Sequence, residues 1–228
     1  MTTAAPQKKF IANREVQIGV GPLLLTGDLR IPENATGIVL FAHGSGSSRH
    51  SPRNQYVANV IGDAGVGTLL FDLLTGREEE IDNYTREFRF DINLLARRLV
   101  GATNWLAATK ETGYLRPGYF GASTGGGAAL VAAAHMGEKI GAVISRGGRP
   151  DLAGPALTRV KAPTLLIVGS LDGPVIRMNE DAYTQLRCEK ELRIIPGATH
   201  LFEEPGKLEE VARVAASWFV KHLHHGKE

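Results

Sequence analysis

The stretch Tyr119-Phe120-Gly121-Ala122-Ser123-Thr124-Gly125-Gly126-Gly127-Ala128 decides the fold. An apolar run from Leu115 to Phe120 leads into it, and an alanine-rich helical pattern from Ala128 to Met136 leads out. Between them stands Gly-x-Ser-x-Gly, the strand-to-helix turn that holds a serine in a strained, exposed position. A turn this sharp leaves no room for side chains at Gly121 and Gly125. Read this way, Ser123 is a nucleophile and the N–H of Thr124 points at whatever it attacks. The competing reading is a glycine-rich turn that only packs a helix on a sheet. A strand before the motif and a helix after it favour the nucleophile.

Outward from the turn, other apolar runs read as strands buried on both faces: Ile38 to Ala42, Gly67 to Phe71, Ile140 to Ile144 and Pro163 to Val168. Glu191 to Ile195 reads as the last strand. Helical patterns begin at Ser51-Pro52 and run over Phe90 to Ala108, Val175 to Leu186 and Leu208 to Leu223, with a short helix over Leu152 to Leu157. The polar segment from Leu73 to Thr85 reads as a loop. Before the first buried strand, Glu15 to Val20 and Leu23 to Ile31 flank Gly21-Pro22 and suggest a hairpin. Residues 1–13 read as a flexible lead-in and 14–228 as a single domain. The predicted class is therefore α/β: a mostly parallel sheet with an N-terminal antiparallel hairpin, helices on both faces and no large lid domain.

A serine hydroxyl needs a base within hydrogen-bond reach, and the base needs an orienting acid. Of the seven histidines, His222, His224 and His225 fall in a polar tail and read as solvated. His135 falls near a helix end, away from the site. His43 stands at a strand end, where its ring reads as a support for the loop. His50 follows in the same loop and is a candidate to line the pocket. His200 is the loop histidine that comes after Ser123, and the order nucleophile, acid, histidine selects it as the base. Asp172, at the end of the strand after Pro163, is the expected acid, with Asp151 as the alternative. The oxyanion needs two donors. Thr124 N–H supplies one, and His43-Gly44-Ser45-Gly46 supplies the other, through Ser45 or, in reserve, Gly46.

Arginines cluster at the same predicted edge: Arg49 and Arg53, Arg77, Arg146 and Arg149. They either bind a substrate carboxylate, with Arg77 and Arg146 first in line, or form loop salt bridges among their neighbours. Composition limits the alternatives. With 43% hydrophobic and 22% charged residues, the chain has the makeup of a globular protein. A net charge of +2, spread along the chain, gives no footprint for nucleic acid. No apolar run has the length of a membrane span, and residues 1–14 lack the apolar block of a signal peptide. The single cysteine, Cys188, has no internal disulfide partner. A cytoplasmic enzyme is the expectation, with a small-molecule ester as substrate, no metal or other cofactor, and no nucleic-acid or membrane partner. The oligomeric state stays open.

Taken together, Gly121-Ala122-Ser123-Thr124-Gly125, Asp172, His200 and the upstream His43-Gly44-Ser45-Gly46 resemble the α/β-hydrolase superfamily. The compact length, Phe71-Asp72-Leu73-Leu74-Thr75 and Pro196-Gly197-Ala198-Thr199-His200-Leu201-Phe202 resemble its dienelactone hydrolase-like branch. The likeness covers nearly all of residues 14–223. It implies the α/β-hydrolase fold and acyl transfer through an acyl-enzyme. One departure is specific: dienelactone hydrolases carry a cysteine nucleophile where this chain has Ser123. That favours cleavage of plain esters or lactones, by a carboxylesterase-like enzyme. A thioesterase or acyltransferase using the same residues, and a non-catalytic ligand-binding member of the fold, are the other readings.

Overall fold

A computed structural model describes residues 9–223. It contains an eight-stranded sheet in the order β1-β2-β4-β3-β5-β6-β7-β8. The strands are β1 (Phe10–Val20), β2 (Leu23–Pro32), β3 (Gly37–Ala42), β4 (Gly67–Phe71), β5 (Arg116–Ala122), β6 (Ala142–Arg146), β7 (Thr164–Gly169) and β8 (Lys190–Ile195). β1 and β2 form an antiparallel hairpin, and β2 joins β4 antiparallel. From β4 to β8 every neighbouring pair is parallel. The helices are α1 (Pro52–Asp63), α2 (Gly76–Thr85), α3 (Ile92–Ala108), α4 (Thr124–Met136), α5 (Gly173–Gln185) and α6 (Lys207–Leu223).

Alternation along the central strands divides the core in two. Ile38, Leu40, Tyr119 and Val143 face a layer built from α3, α4 and α5, with Leu99, Leu130 and Ala182 in the same cluster. Val39, Phe41, Phe120 and Ile144 face α1 and α6, packing with Val57, Ile61, Ala215 and Phe219. Every residue of β3 and β4 is buried, which is why both read as unbroken apolar runs. Each large aliphatic side chain buried there contributes about 1.5–3 kcal/mol relative to exposure.

Parallel strands put all their carboxyl ends at one edge. There β5 passes into α4 at Ser123. The turn is possible because two glycines lack a side chain: a Cβ on Gly121 would lie 2.4 Å from the Gly125 carbonyl oxygen, and one on Gly125 would lie 2.1 Å from that of Ala42.

Four expectations need correction. β1 begins at Phe10, so residues 10–13, read as part of a flexible lead-in, are strand. A register shift between Phe10 and Ala12 breaks the polar–apolar alternation that would have marked it. Residues 1–8 lie outside the described chain. The segment read as a loop after β4 contains α2. Its only buried residue is Asp82, so it has no apolar stripe, and it is started by a capping box between Thr75 and Glu78. The short helix at 152–157 is a 3-10 segment spanning Pro150–Arg159, broken at Gly154. His222 is not in a solvated tail: it lies in α6, its ring 4.4 Å from that of Trp218. His224 and His225 lie outside the described residues.

Candidate active site

Ser123 is the N-cap of α4, with φ 51° and ψ −121°. That backbone region is costly for a residue with a Cβ and persists only where its surroundings fix it. Here they do. The Ser123 N–H donates to the Arg146 carbonyl at 3.2 Å, and its own carbonyl accepts from the N–H groups of Gly126 at 2.9 Å and Arg149 at 3.0 Å. The hydroxyl makes no cap hydrogen bond to its own helix, so it is free to point outward.

His200 meets it from the loop after β8. The Nε2 atom lies 3.3 Å from Ser123 Oγ, and Nδ1 lies 2.6 Å from Asp172 Oδ2. With the Nδ1 proton donated to the carboxylate, Nε2 is left with its lone pair toward the serine. Asp172 caps α5 by position but spends no side-chain bond on that helix, and its carboxylate goes to His200 instead. The two supporting loops are laced together. Leu171 N–H donates to the Ala198 carbonyl at 3.0 Å, and Gly197 N–H donates to Ser170 Oγ at 2.8 Å. Glu204 accepts from both the N–H and the hydroxyl of Thr199.

Asp151, the alternative acid, is turned away. Its two carboxylate oxygens accept from Arg149 Nε and Nη2 at 2.9 and 2.8 Å, a loop pair whose hydrogen bond holds the arginine above its usual range.

The loop after β3 closes the other side. His43 is buried; its Nδ1 donates to the Gly44 carbonyl at 3.0 Å and its Nε2 accepts from Leu73 N–H at 3.1 Å. Burial pushes its pKa down, so the ring is neutral and serves as a strut between two loops. It is the support expected from sequence. A Cβ on Gly44 would lie 3.2 Å from Ser123 Cβ, so this loop runs directly against the serine. Among the described residues no hydrogen bond is made by the backbone N–H groups of Thr124, Ser45 or Gly46, the reserve donor. Thr124 opens α4, where a helix leaves its first N–H groups unpaired.

The arginines sort themselves differently from expectation. Arg146 does not reach the mouth. It is 6% exposed, with Nη2 donating to Asn54 Oδ1 at 3.2 Å and the guanidinium 5.7 Å from the centre of the Phe202 ring. The reason is strand parity: Arg146 is two residues beyond Ile144 and shares its face, toward α1 and not toward the edge. Arg77 and His50 are exposed, and no contact joins their side chains to Ser123, His200 or Asp172 among the described residues. Arg49 forms an ion-pair cluster with Asp72, Glu15 and Asp28 that fixes its loop.

A different cation occupies the edge. Arg89 Nη1 lies 3.3 Å from the position of a Cβ on Gly46. Arg89 lines a cavity of about 50 Å³ together with Ser45, Gly46, His43 and Asn83. It is aimed by Asp82, whose carboxylate accepts from the N–H groups of Phe88 at 2.8 Å and Arg89 at 3.0 Å and pairs with Arg89 Nε. These hydrogen bonds hold the Asp82 carboxyl below its usual range despite its desolvation. Sequence reasoning passed over Arg89 because it took α2 for a loop. The capping box at Thr75 was the signal that could have placed it.

Sheet order, elbow and the three converging side chains define the class of protein: an α/β-hydrolase. The whole span from residue 28 to 223 matches the model of the dienelactone hydrolase family. The chain belongs to that family. It is 64% identical to a dienelactone hydrolase from Anabaena variabilis, whose crystal structure superposes with a TM-score of 0.92 over 93% of this chain and 99% of that one. A carboxyl esterase from the fungus Tuber melanosporum shares the fold at 16% identity, with a TM-score of 0.73 over 96% of this chain and 89% of that one. A protein of Mycobacterium tuberculosis named as a phosphoribosyl transferase is 56% identical over 213 residues, which is 93% of this chain. This chain spans about half, 47%, of that relative's length. Among the described residues no helix is long and apolar enough to cross a membrane.

Proposed function

We propose that the chain is a serine hydrolase that cleaves small carboxylic esters or lactones through an acyl-enzyme on Ser123. The observation that carries this is the continuous relay Asp172–His200–Ser123, with a 2.6 Å hydrogen bond at one end and a 3.3 Å approach at the other. In this reading His200 Nε2 takes the Ser123 proton as Oγ attacks the substrate carbonyl. Asp172 holds the ring in the required tautomer and stabilises the imidazolium that forms. The tetrahedral oxyanion is held by the N–H groups of Thr124, at the start of α4, and Ser45, with Gly46 in reserve; the unpaired N–H groups of both segments support that role. His200 then returns the proton to the departing alcohol oxygen. A water molecule, deprotonated by His200, attacks the acyl carbon; the acyl–Oγ bond breaks and His200 returns the proton to Ser123 Oγ.

Arg89, beside Gly46 of the oxyanion loop, is the cation in this reading that stands where Arg77 and Arg146 were expected. The proposal does not extend to phosphoribosyl transfer, which stands in the name of a relative about twice as long as this chain.

The test is a substrate panel of short aryl esters, lactones and acyl thioesters, run with the wild type and Ser123→Ala. Turnover of esters or lactones that disappears in Ser123→Ala supports the proposal. Preference for the thioesters by more than an order of magnitude moves it to a thioesterase, and turnover that survives Ser123→Ala removes the serine from the chemistry.

A further inference from the structure

We propose that Arg146 is a positioning residue for His200: from beneath the histidine loop it holds Phe202, and through Phe202 it sets the distance at which the imidazole reaches Ser123. The proposal rests on the catalytic reading of Ser123, Asp172 and His200.

Arg146 touches both halves of the site without entering it. Its backbone carbonyl accepts the Ser123 N–H at 3.2 Å, and it lies opposite Ala122, the residue before the nucleophile, in the β5–β6 register. Its side chain runs to the other half. The guanidinium sits over the ring of Phe202, two residues beyond His200. It donates a hydrogen bond to Asn54 at the start of α1. The next residue continues the contact: a Cβ on Gly147 would meet the His200 carbonyl oxygen at 3.1 Å and Phe202 Cε2 at 3.4 Å.

The arrangement is costly, and the cost has to be met by something. Among the described residues Arg146 Nε has no hydrogen-bond partner and no carboxylate pairs with the guanidinium. The charge nearest in effect is Arg53, which repels it and is itself turned to Glu203 at 2.5 Å. Burial lowers the Arg146 pKa to about 10, so the side chain is still a cation near neutral pH. An apolar side chain of similar length would fill the space without leaving a charge unpaired. What an apolar side chain lacks is attraction to the face of an aromatic ring, an attraction that is strongest when the cation is desolvated. Phe202 needs such a hold. It is fully buried at φ 58°, a strained backbone that persists only where its surroundings fix it. Release of that strain would move the loop that carries His200.

The experiment compares Arg146→Met, Arg146→Lys, Phe202→Leu and the double variant Arg146→Met/Phe202→Leu with wild type. It measures kcat and KM on a phenyl ester and thermal unfolding. Arg146→Met should melt at or above the wild-type temperature, since it removes an unpaired buried charge. Its kcat should fall about 10- to 100-fold, the scale of a displacement on the order of 1 Å at a catalytic group, with KM within about twofold. Arg146→Lys should recover part of the loss. Phe202→Leu should show a similar loss, and the double variant should be no slower than the slower single one, because both act on one contact. A folded Arg146→Met with wild-type kcat overturns the proposal. So does a double variant whose losses multiply, or a Lys variant no better than Met. If Arg146→Met does not fold, Phe202→Leu decides alone, and a wild-type kcat there is equally fatal. Ser123→Ala runs alongside: turnover surviving in it defeats the catalytic reading itself. A dead Ser123→Ala beside a wild-type Arg146→Met defeats only the role of Arg146.

Discussion

Replacing Asp172 with asparagine separates positioning from folding more cleanly than any other change at the site. The Asp172 carboxylate accepts from His200 Nδ1 at 2.6 Å, a short, charge-assisted contact. Asparagine keeps the shape but can turn an NH2 group toward the ring. The imidazole then carries its proton on Nε2, facing the Ser123 hydroxyl, where it cannot act as a base. The imidazolium that forms during attack also loses its counter-ion. Changes of this kind cost about 10⁴ in kcat, or about 5.5 kcal/mol at about 1.36 kcal/mol per decade. The fold should hardly notice. Asp172 makes no side-chain cap bond to α5, and asparagine caps a helix as well as aspartate does. The assay is steady-state hydrolysis of a phenyl ester beside a thermal melt. The expected outcome is a drop of about four decades with an unchanged melting temperature. A loss of less than tenfold would refute the reasoning, and so would a large loss in Asp151→Asn, whose carboxylate is paired with Arg149.

Other expectations follow from particular contacts. Leu40→Ala removes a fully buried side chain from the middle of β3 and should cost about 2–5 kcal/mol in urea unfolding. Gly125→Ala puts a Cβ 2.1 Å from the Ala42 carbonyl, so it should yield either insoluble protein or a folded one without esterase activity. Thr75→Ala deletes one arm of the capping box of α2 and should cost about 0.5–2 kcal/mol, read as faster amide exchange over residues 76–85. His43 and His222 both have folded pKa values pushed down by burial. The unfolded chain therefore binds more protons below about pH 6.5. Their contribution to stability is complete above that pH and is lost as the pH falls through the folded values. Each site adds up to about 1.4 kcal/mol per pH unit to that slope. His43→Asn should flatten the pH dependence below about pH 6.5 in chemical denaturation.

Much of this molecule is legible in its sequence because the strands of a parallel sheet are apolar on both faces. Ile38 to Ala42 and Gly67 to Phe71 announce themselves, and each is followed by a loop at the same edge. Small residues around Ser123 and the order Ser123, Asp172, His200 then bring three distant segments to one place. Less legible are the features that depend on which way a side chain points. Arg146 follows an apolar strand and reads as a mouth residue. The two-residue period of β6 turns it instead to the face of Ile144, under Phe202. α2 escapes because a helix that buries only Asp82 has no apolar period, and Arg89 escapes with it. β1 starts early because a bulge near Phe10 masks the alternation.

The central claim is that Ser123 is a nucleophile activated by His200. The most direct measurement is reaction of the folded protein with a fluorophosphonate, followed by mass spectrometry of the digested adduct. A single adduct on Ser123 is expected, absent in Ser123→Ala and slowed by orders of magnitude in His200→Ala. A folded protein that acquires no adduct, or that labels at Ser123 equally fast without His200, would contradict the account.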